Sequence, residues 1–184
     1  MKKLLLSVLG VMMFVGVSTA QEYKPFKLGL GLGYTMPSNG GGGILFDFEP
    51  AYRINDAIAV GLRIETAAMA RSIGDEEGSV SGNASYTLNG QYYLSNNKFR
   101  PYVGVGLGIY SLASVSVGTT SGVAAGSEFG FYPRIGFDLG HFNVNLDYNL
   151  IPASEGFDGN GESVDIKNSY LGIRVGAFIF GGQR

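Results

Sequence analysis

The 184-residue chain has no cysteine and no tryptophan, a single histidine, and only 15% charged residues, against about 25% in an average soluble protein. The lack of cysteine excludes disulfide bonds, thiolate nucleophiles, cysteine zinc sites and a lipoprotein anchor. Glycine and aromatic residues are abundant in contrast, with 30 Gly, 12 Phe and 11 Tyr. The glycines follow no three-residue period, which excludes collagen, and so many aromatic residues argue against disorder. The length allows one domain of ordinary size, or one domain with a targeting segment.

The first 20 residues have the three-part layout of a secretory signal peptide. Two lysines precede an apolar run, and the small residues Ser18 and Ala20 occupy positions −3 and −1 before the expected cleavage site. The apolar run is too short for a transmembrane helix. We therefore predict cleavage after Ala20, with a signal peptide over 1–20 and one domain over 21–184. No later segment has 18 consecutive apolar residues, so membrane residence requires strands.

From Phe26 onward, apolar and polar residues alternate with a period of two in eight segments, which predicts eight β-strands. Short turns alternate with longer connections rich in glycine, serine and acidic residues, which span 36–43, 72–79, 113–127 and 151–165. Alternate connections of an antiparallel sheet emerge at opposite ends, so one end carries the short turns and the other the long loops. This asymmetry is typical of transmembrane barrels. We predict an all-β fold, an eight-stranded antiparallel up-and-down transmembrane β-barrel.

The residues that alternate with the apolar positions decide which face of the predicted barrel is inside. A soluble lipocalin-like barrel would turn its apolar face inward, and its outer surface would normally carry many lysines. Here the polar face holds glycine, tyrosine and charged residues of balanced sign, whereas the apolar face holds no charge. An outward charge at mid-bilayer costs several kcal/mol, so we predict a membrane barrel with an interior charge network. The network comprises Lys27, Asp47, Glu49, Arg53, Arg63, Glu65, Arg134, Asp138, Asp147 and Arg174.

Glycine and aromatic residues support the same orientation. Glycines on the inner wall of a narrow barrel make room for long Arg and Tyr side chains that arrive from other strands. Outward aromatic residues gather toward both strand ends, as in the two aromatic girdles of membrane barrels. The short-turn end has Phe26, Tyr52, Phe99 and Phe142, and the loop end has Tyr34, Phe46, Tyr86, Phe129 and Tyr148.

Two stretches resemble those of a known family, RPYVGVGLG at 100–108 and YLGIRVGAFIF at 170–180. Through them the chain resembles the small eight-stranded outer-membrane β-barrel family of Gram-negative bacteria, which includes the OmpA, OmpX and OmpW types. The resemblance implies residence in the outer membrane and contact with its lipid and lipopolysaccharide. It also implies that the barrel-assembly machinery and periplasmic chaperones are partners during biogenesis. We expect a monomer.

Few residues are suited to catalysis or metal binding. His141, the only histidine, falls in a short turn, so we interpret it as a turn residue rather than a catalytic base. The segment 158–162 alternates oxygen ligands with glycine, but it lacks the rest of a calcium-loop pattern. The glycine-rich stretches 29–33 and 104–108 lie within strands and open no helix, so they are not phosphate-binding loops. We predict no enzyme activity, no cofactor and no metal site.

Acidic residues outnumber basic ones at the loop end of the predicted barrel. This charge disfavours nucleic acid as a partner and could hold divalent cations shared with lipopolysaccharide phosphates. The acidic residues are Asp75, Glu76, Glu77, Glu128, Glu155, Asp158, Glu162 and Asp165. Our first hypothesis is a non-enzymatic outer-membrane barrel that acts in envelope integrity or in surface interaction through its loops. The alternatives are a narrow porin-like conduit for small or apolar solutes, an adhesin, and an acyl-modifying enzyme, for which His141 would be the only candidate base.

Overall fold

The computed structural model describes residues 23–38, 40–73, 76–116, 123–157 and 163–181. They form ten strands: β1 (Phe26–Pro37), β2 (Gly42–Arg53), β3 (Ile58–Ile73), β4 (Glu76–Tyr93), β5 (Phe99–Ser116), β6 (Val123–Leu139), β7 (Phe142–Asn149), β8 (Ser154–Phe157), β9 (Ser163–Ile166) and β10 (Tyr170–Phe180). No helix in these ranges is long and apolar enough to cross a membrane.

Eight of the strands close into an antiparallel barrel in the order β1 to β7 and then β10, while β8 and β9 form a separate hairpin. The fold class predicted from the alternation is confirmed. The strands are staggered by ten residues around the barrel. A path through paired residues that starts at Arg53 on β2 returns to β2 at Gly43. It passes through Ala59, Gln91, Gly104, Arg134, Asp147, Gly172 and Thr35. A stagger of this kind tilts the strands by about 35–45° and leaves an interior that side chains fill.

The short turns follow from their residues. Asn55 accepts hydrogen bonds from the backbone nitrogens of Ala57 and Ile58 through its Oδ1, at 2.9 and 2.8 Å, which closes the β2–β3 turn. Gly140 has a φ of 61°, a left-handed conformation that glycine adopts without strain, and it allows the tight turn between β6 and β7. Both turns lie at one end of the barrel, the short-turn end.

The outer surface of the barrel is an apolar belt. On β5 the outward positions run from Phe99 to Ile109, and residues between them such as Val105 are about half exposed (53% for Val105). Ten residues at about 3.3 Å each, tilted by about 40°, span about 25 Å along the membrane normal, which is the height of the apolar band of outer-membrane barrels. The aromatic residues predicted for the two girdles project outward at the two ends of this belt, and most are exposed, Phe142 at 65% among them.

The predicted long loops are corrected in part. β3 continues to Ile73 and β4 begins at Glu76, β5 continues to Ser116 and β6 begins at Val123, and the stretch 151–165 contains β8 and part of β9. These segments are rich in Ser, Gly, Ala and acidic residues, a composition that resembles a loop because neither face needs large apolar side chains beyond the belt. The backbone ladder nevertheless continues through them. As a result, β3 to β6 form a four-stranded wall that rises past the shorter β7, β10, β1 and β2.

Candidate functional site

All ten charged residues named from the sequence lie inside the barrel, and none is more than 6% exposed. They alternate along each strand with the lipid-facing residues, so the pleat alone directs them inward. Seven ion-pair contacts among nine of them fall into two groups. The lower ion group, toward the short-turn end, comprises Lys27, Glu49, Arg134 and Asp138. The upper ion group comprises Asp47, Arg63, Glu65, Asp147 and Arg174.

Lys27 is the centre of the lower ion group. Its Nζ lies 3.2 Å from Oδ2 of Asp138 and donates hydrogen bonds to the Tyr93 hydroxyl at 2.7 Å and to Oε1 of Gln91 at 3.3 Å. The same ammonium lies 4.0 Å from the centre of the Phe178 ring, within reach of a cation–π interaction. Carboxylate, hydroxyl, amide and ring therefore compensate this buried charge together.

Arg134 extends the lower ion group toward the middle of the barrel. Its Nη1 donates to Oε2 of Glu49 at 2.8 Å, and its Nη2 donates to the Tyr102 hydroxyl at 3.0 Å. The other Glu49 oxygen accepts a hydrogen bond from Nε2 of Gln91 at 2.6 Å. Gln91 thus joins the Lys27 and Arg134 ion pairs into one network.

The upper ion group crosses the lumen between opposite walls. Arg63 on β3 donates from Nη1 to Asp147 on β7 at 2.9 Å, and its guanidinium stacks 3.7 Å from the Tyr132 ring. Arg174 on β10 contacts both Asp147 and Glu65, and it lies 3.4 Å from Asp47. Apart from the Arg63–Glu65 contact within β3, each contact joins different strands, and the Arg63–Asp147 pair connects opposite walls of the barrel.

Glycine residues on the inner wall provide the space for these long side chains. A Cβ atom added at Gly106 would lie 2.2 Å from the Tyr132 ring, and one at Gly104 would lie 3.0 Å from Arg134. A Cβ at Gly31 would lie 2.3 Å from Oδ1 of Asp47. The expectation that inward glycines make room for side chains from other strands is confirmed at these positions.

A small cavity of about 20 Å³ separates the two ion groups. Lys27, Glu49 and Arg134 line it from the lower group, and Asp47 and Arg174 line it from the upper group. This volume accommodates about one water molecule. It does not provide a passage for a hydrated ion.

An apolar cluster, which we call the outer plug, fills the interior above the upper ion group. It consists of Leu45, Ala67, Met69, Tyr110, Ile151 and Tyr170, all at most 5% exposed. The Tyr110 and Tyr170 hydroxyls connect the plug to the upper ion group. Tyr170 donates to Glu65 at 2.5 Å, and Tyr110 donates at 2.8 Å to Asn149, which also accepts a hydrogen bond from Arg63. The sequence analysis missed this plug, although Leu45 stands between two outward apolar residues and signals an inward apolar position.

Comparisons with known proteins agree with this geometry. The model of the family "Outer membrane protein beta-barrel domain" matches residues 7–177. The chain belongs to this family. A search of curated proteins found no match.

Solved structures of similar fold are also outer-membrane proteins. Neisserial surface protein A (NspA) has a TM-score of 0.54 and 14% identity, over 88% of this chain and 99% of that one. OprG from Pseudomonas aeruginosa has a TM-score of 0.55 and 14% identity, over 89% and 100%. Ail, the attachment invasion locus protein of Yersinia pestis, has a TM-score of 0.50 and 13% identity, over 86% and 98%. Because the chain belongs to the family of outer-membrane barrels, we place its short-turn end on the periplasmic side, where such barrels have their short turns.

Two arginines and one tyrosine occupy the periplasmic mouth of this outer-membrane barrel. Arg53, named from the sequence as part of the charge network, donates to the carbonyl oxygens of Lys24 and Gly181. Arg100, which the sequence analysis missed, is 1% exposed and donates to the carbonyl oxygens of Ser95 and Asp56. Its position two residues before the inward Tyr102 is the signal that would have found it. Both guanidiniums lie against the ring of Tyr23, at 5.3 and 3.8 Å from its centre.

The remaining sequence candidates lie apart from the interior. His141 is exposed in the β6–β7 turn, where its Nδ1 is 3.1 Å from the Phe178 carbonyl oxygen. Ala20 and the segment 158–162 lie outside the described residues. Of the acidic residues at the loop end, only Glu128 and Asp165 have described side chains; Glu128 is half-buried and Asp165 exposed. Within the described ranges, no three His, Cys, Asp or Glu side chains come together as a metal site requires.

Proposed function

We propose that this outer-membrane barrel is a non-enzymatic and non-conducting anchor that contacts molecules outside the cell through its extracellular hairpins. The observation that supports this proposal best is the continuous filling of the interior. From the periplasmic mouth to the outer face, the lumen holds the Arg53–Tyr23–Arg100 stack, the two ion groups and the outer plug. Because solutes cannot pass through a closed lumen, the surfaces that can bind other molecules are those outside the membrane.

The wall formed by β3 to β6 supports the surface role. β5 continues from Ile109, at the outer edge of the belt, to Ser116, and it pairs with β6 as far as Val123. Outward residues beyond the belt are small and polar, such as Thr66 and Ser111, which suits contact with water and with other molecules rather than with lipid. The wall is built as regular strands, so it can present a fixed surface.

The names of two structural neighbours suggest the same kind of role. Neisserial surface protein A is named as a surface protein, and Ail is named for attachment and invasion. At 13–14% identity they share the fold with this chain, and the role is part of our proposal. We further propose that the barrel is a monomer surrounded by lipopolysaccharide. The barrel-assembly machinery and periplasmic chaperones would deliver the barrel to the membrane.

A variant that lacks residues 114–125 tests the surface role, because it removes the top of the β5–β6 hairpin and retains the barrel. Cells of a Gram-negative host that expresses either form would be compared for attachment to one another and to glass. We expect the deletion to lower attachment and to leave outer-membrane permeability to a small dye unchanged. Equal attachment of both forms would contradict a role for this hairpin. The alternative outcome is that cells without the protein admit more dye than cells with it. If the deletion variant lowers dye entry to the normal level again, the result would favour a role in envelope integrity.

A further inference from the structure

The segment from Tyr23 to Pro25 crosses the periplasmic mouth of the barrel. The Tyr23 side chain is only 5% exposed, although the residue precedes the first strand. Its hydroxyl donates to the carbonyl oxygens of Asn97 at 3.0 Å and Asn96 at 3.2 Å, both in the β4–β5 turn. Its backbone nitrogen donates to Oδ1 of Asp56 in the β2–β3 turn at 3.3 Å. One residue is thereby fixed to two separate turns.

Two arginines from different strands lie against the ring of Tyr23, at 5.3 and 3.8 Å from its centre. Arg53 is the last residue of β2 and Arg100 is the second residue of β5, with β3 and β4 between these strands. Arg53 also donates to the carbonyl oxygens of Lys24 and of Gly181, which follows β10. The segment is therefore connected to β2, to β5 and to the end of the last strand. A bulky side chain held at this place covers the opening of a barrel this narrow.

We infer that Tyr23 to Pro25 form a lid on the periplasmic mouth, with Tyr23 as the residue that seals it. Arg100 connects the lid to the interior, since its guanidinium lies 3.8 Å from the centre of the Tyr23 ring and 4.1 Å from that of the buried Tyr93 ring. Tyr93 in turn packs against Tyr102, with ring centres 5.4 Å apart, and lies 5.5 Å from the Lys27 ammonium. Without the Tyr23 ring, the interior near these residues opens to the periplasm. This inference does not depend on the proposed surface role, because it concerns access from the opposite side of the membrane.

The absence of cysteine from the chain makes a thiol-accessibility experiment clean. Ala59 packs inside the barrel against Tyr93 and Tyr102 and is 1% exposed, so Ala59→Cys is a reporter above the lid. The Ala59→Cys protein in lipid nanodiscs would be labelled with 2-sulfonatoethyl methanethiosulfonate, an anionic thiol reagent. Tyr23→Ala in this background should increase the labelling rate at least tenfold. Tyr52→Ala is the matched control, since Tyr52 lies at the same end of the barrel but faces lipid, and it should leave the rate unchanged.

Equal labelling rates with Tyr23 and with Tyr23→Ala would overturn the lid, as would an equal increase in the Tyr52→Ala control. Ala51→Cys, at 4% exposure on the neighbouring strand, is a second reporter if Ala59→Cys does not fold, and the same tenfold difference is expected. Folding of each variant is checked by circular dichroism and resistance to trypsin. A wild-type protein that conducts ions would refute the closed-lumen proposal, yet Tyr23-dependent labelling would still support the lid.

Discussion

Arginine substitutions along the outward face of β5 should destabilise the barrel by an amount that depends on depth. Val105 lies six residues above Phe99 and four below Ile109, so it is close to the middle of the apolar belt. Each step of two residues moves a side chain by about 5 Å along the membrane normal. Val105→Arg should therefore cost about 2–4 kcal/mol, the value for a midplane arginine, because the charge cannot reach water. Leu107→Arg, one step higher, should cost less than Val105→Arg.

Ser111→Arg is the matched control, because Ser111 is on the same strand and face but lies past Ile109, outside the belt. Its cost should be about 0–1 kcal/mol, the value near the interface. Reversible urea unfolding in phospholipid vesicles would give the free energy of unfolding of each variant. Equal costs for Val105→Arg and Ser111→Arg would refute the placement of the membrane, and an unchanged stability for both would refute the assignment of the outward face.

Three further predictions concern the interior and the export signal. Gly106→Ala should lower the free energy of unfolding by about 1–3 kcal/mol, since the added methyl group meets the Tyr132 ring. In the control Gly90→Ala, the methyl group meets nothing within 4 Å, so the free energy of unfolding should change by at most about 0.5 kcal/mol. Similar costs for the two variants would refute the filled inner wall. Glu65→Ala should cost about 1–3 kcal/mol because Arg63, Arg174 and the Tyr170 hydroxyl each lose a buried partner, although both arginines keep their contacts with Asp147. The adjacent outward Thr66→Ala should be nearly neutral, and a neutral Glu65→Ala would contradict the network. N-terminal sequencing of the exported protein should find Gln21 as the first residue, and cells that express Ala20→Phe should accumulate the uncleaved precursor. A different first residue would contradict cleavage after Ala20.

The pleat explains why much of the fold and of the interior could be predicted from the sequence. Arg63 and Glu65 alternate along one strand with Leu62 and Ile64, which face the lipid. A period of two therefore assigns the charged residues to the inner face without any three-dimensional information. The same pattern assigned Gly106 to the inner wall. Which acid meets which base was not predictable, because the partners of Arg63 depend on the stagger of ten residues around the barrel.

Other features depend on contacts that no local pattern encodes. The upper parts of β3 to β6 lie beyond the apolar belt, so their residues lack the alternation that marks a strand. The outer plug contains Ile151, which enters the interior from a connection after β7. Tyr23 precedes the first strand, and its role arises from two turns that are 33 and 74 residues away in the chain. Each of these features forms only when the barrel is closed.

Ion conductance of the purified wild-type barrel in a planar lipid bilayer tests the closed lumen most directly. Ion pairs cross the lumen at two levels, and the cavity between them has room for about one water molecule. We therefore expect no persistent openings above the leak of the bare bilayer. Persistent and ion-selective openings would contradict the closed interior and would identify this barrel as a conduit.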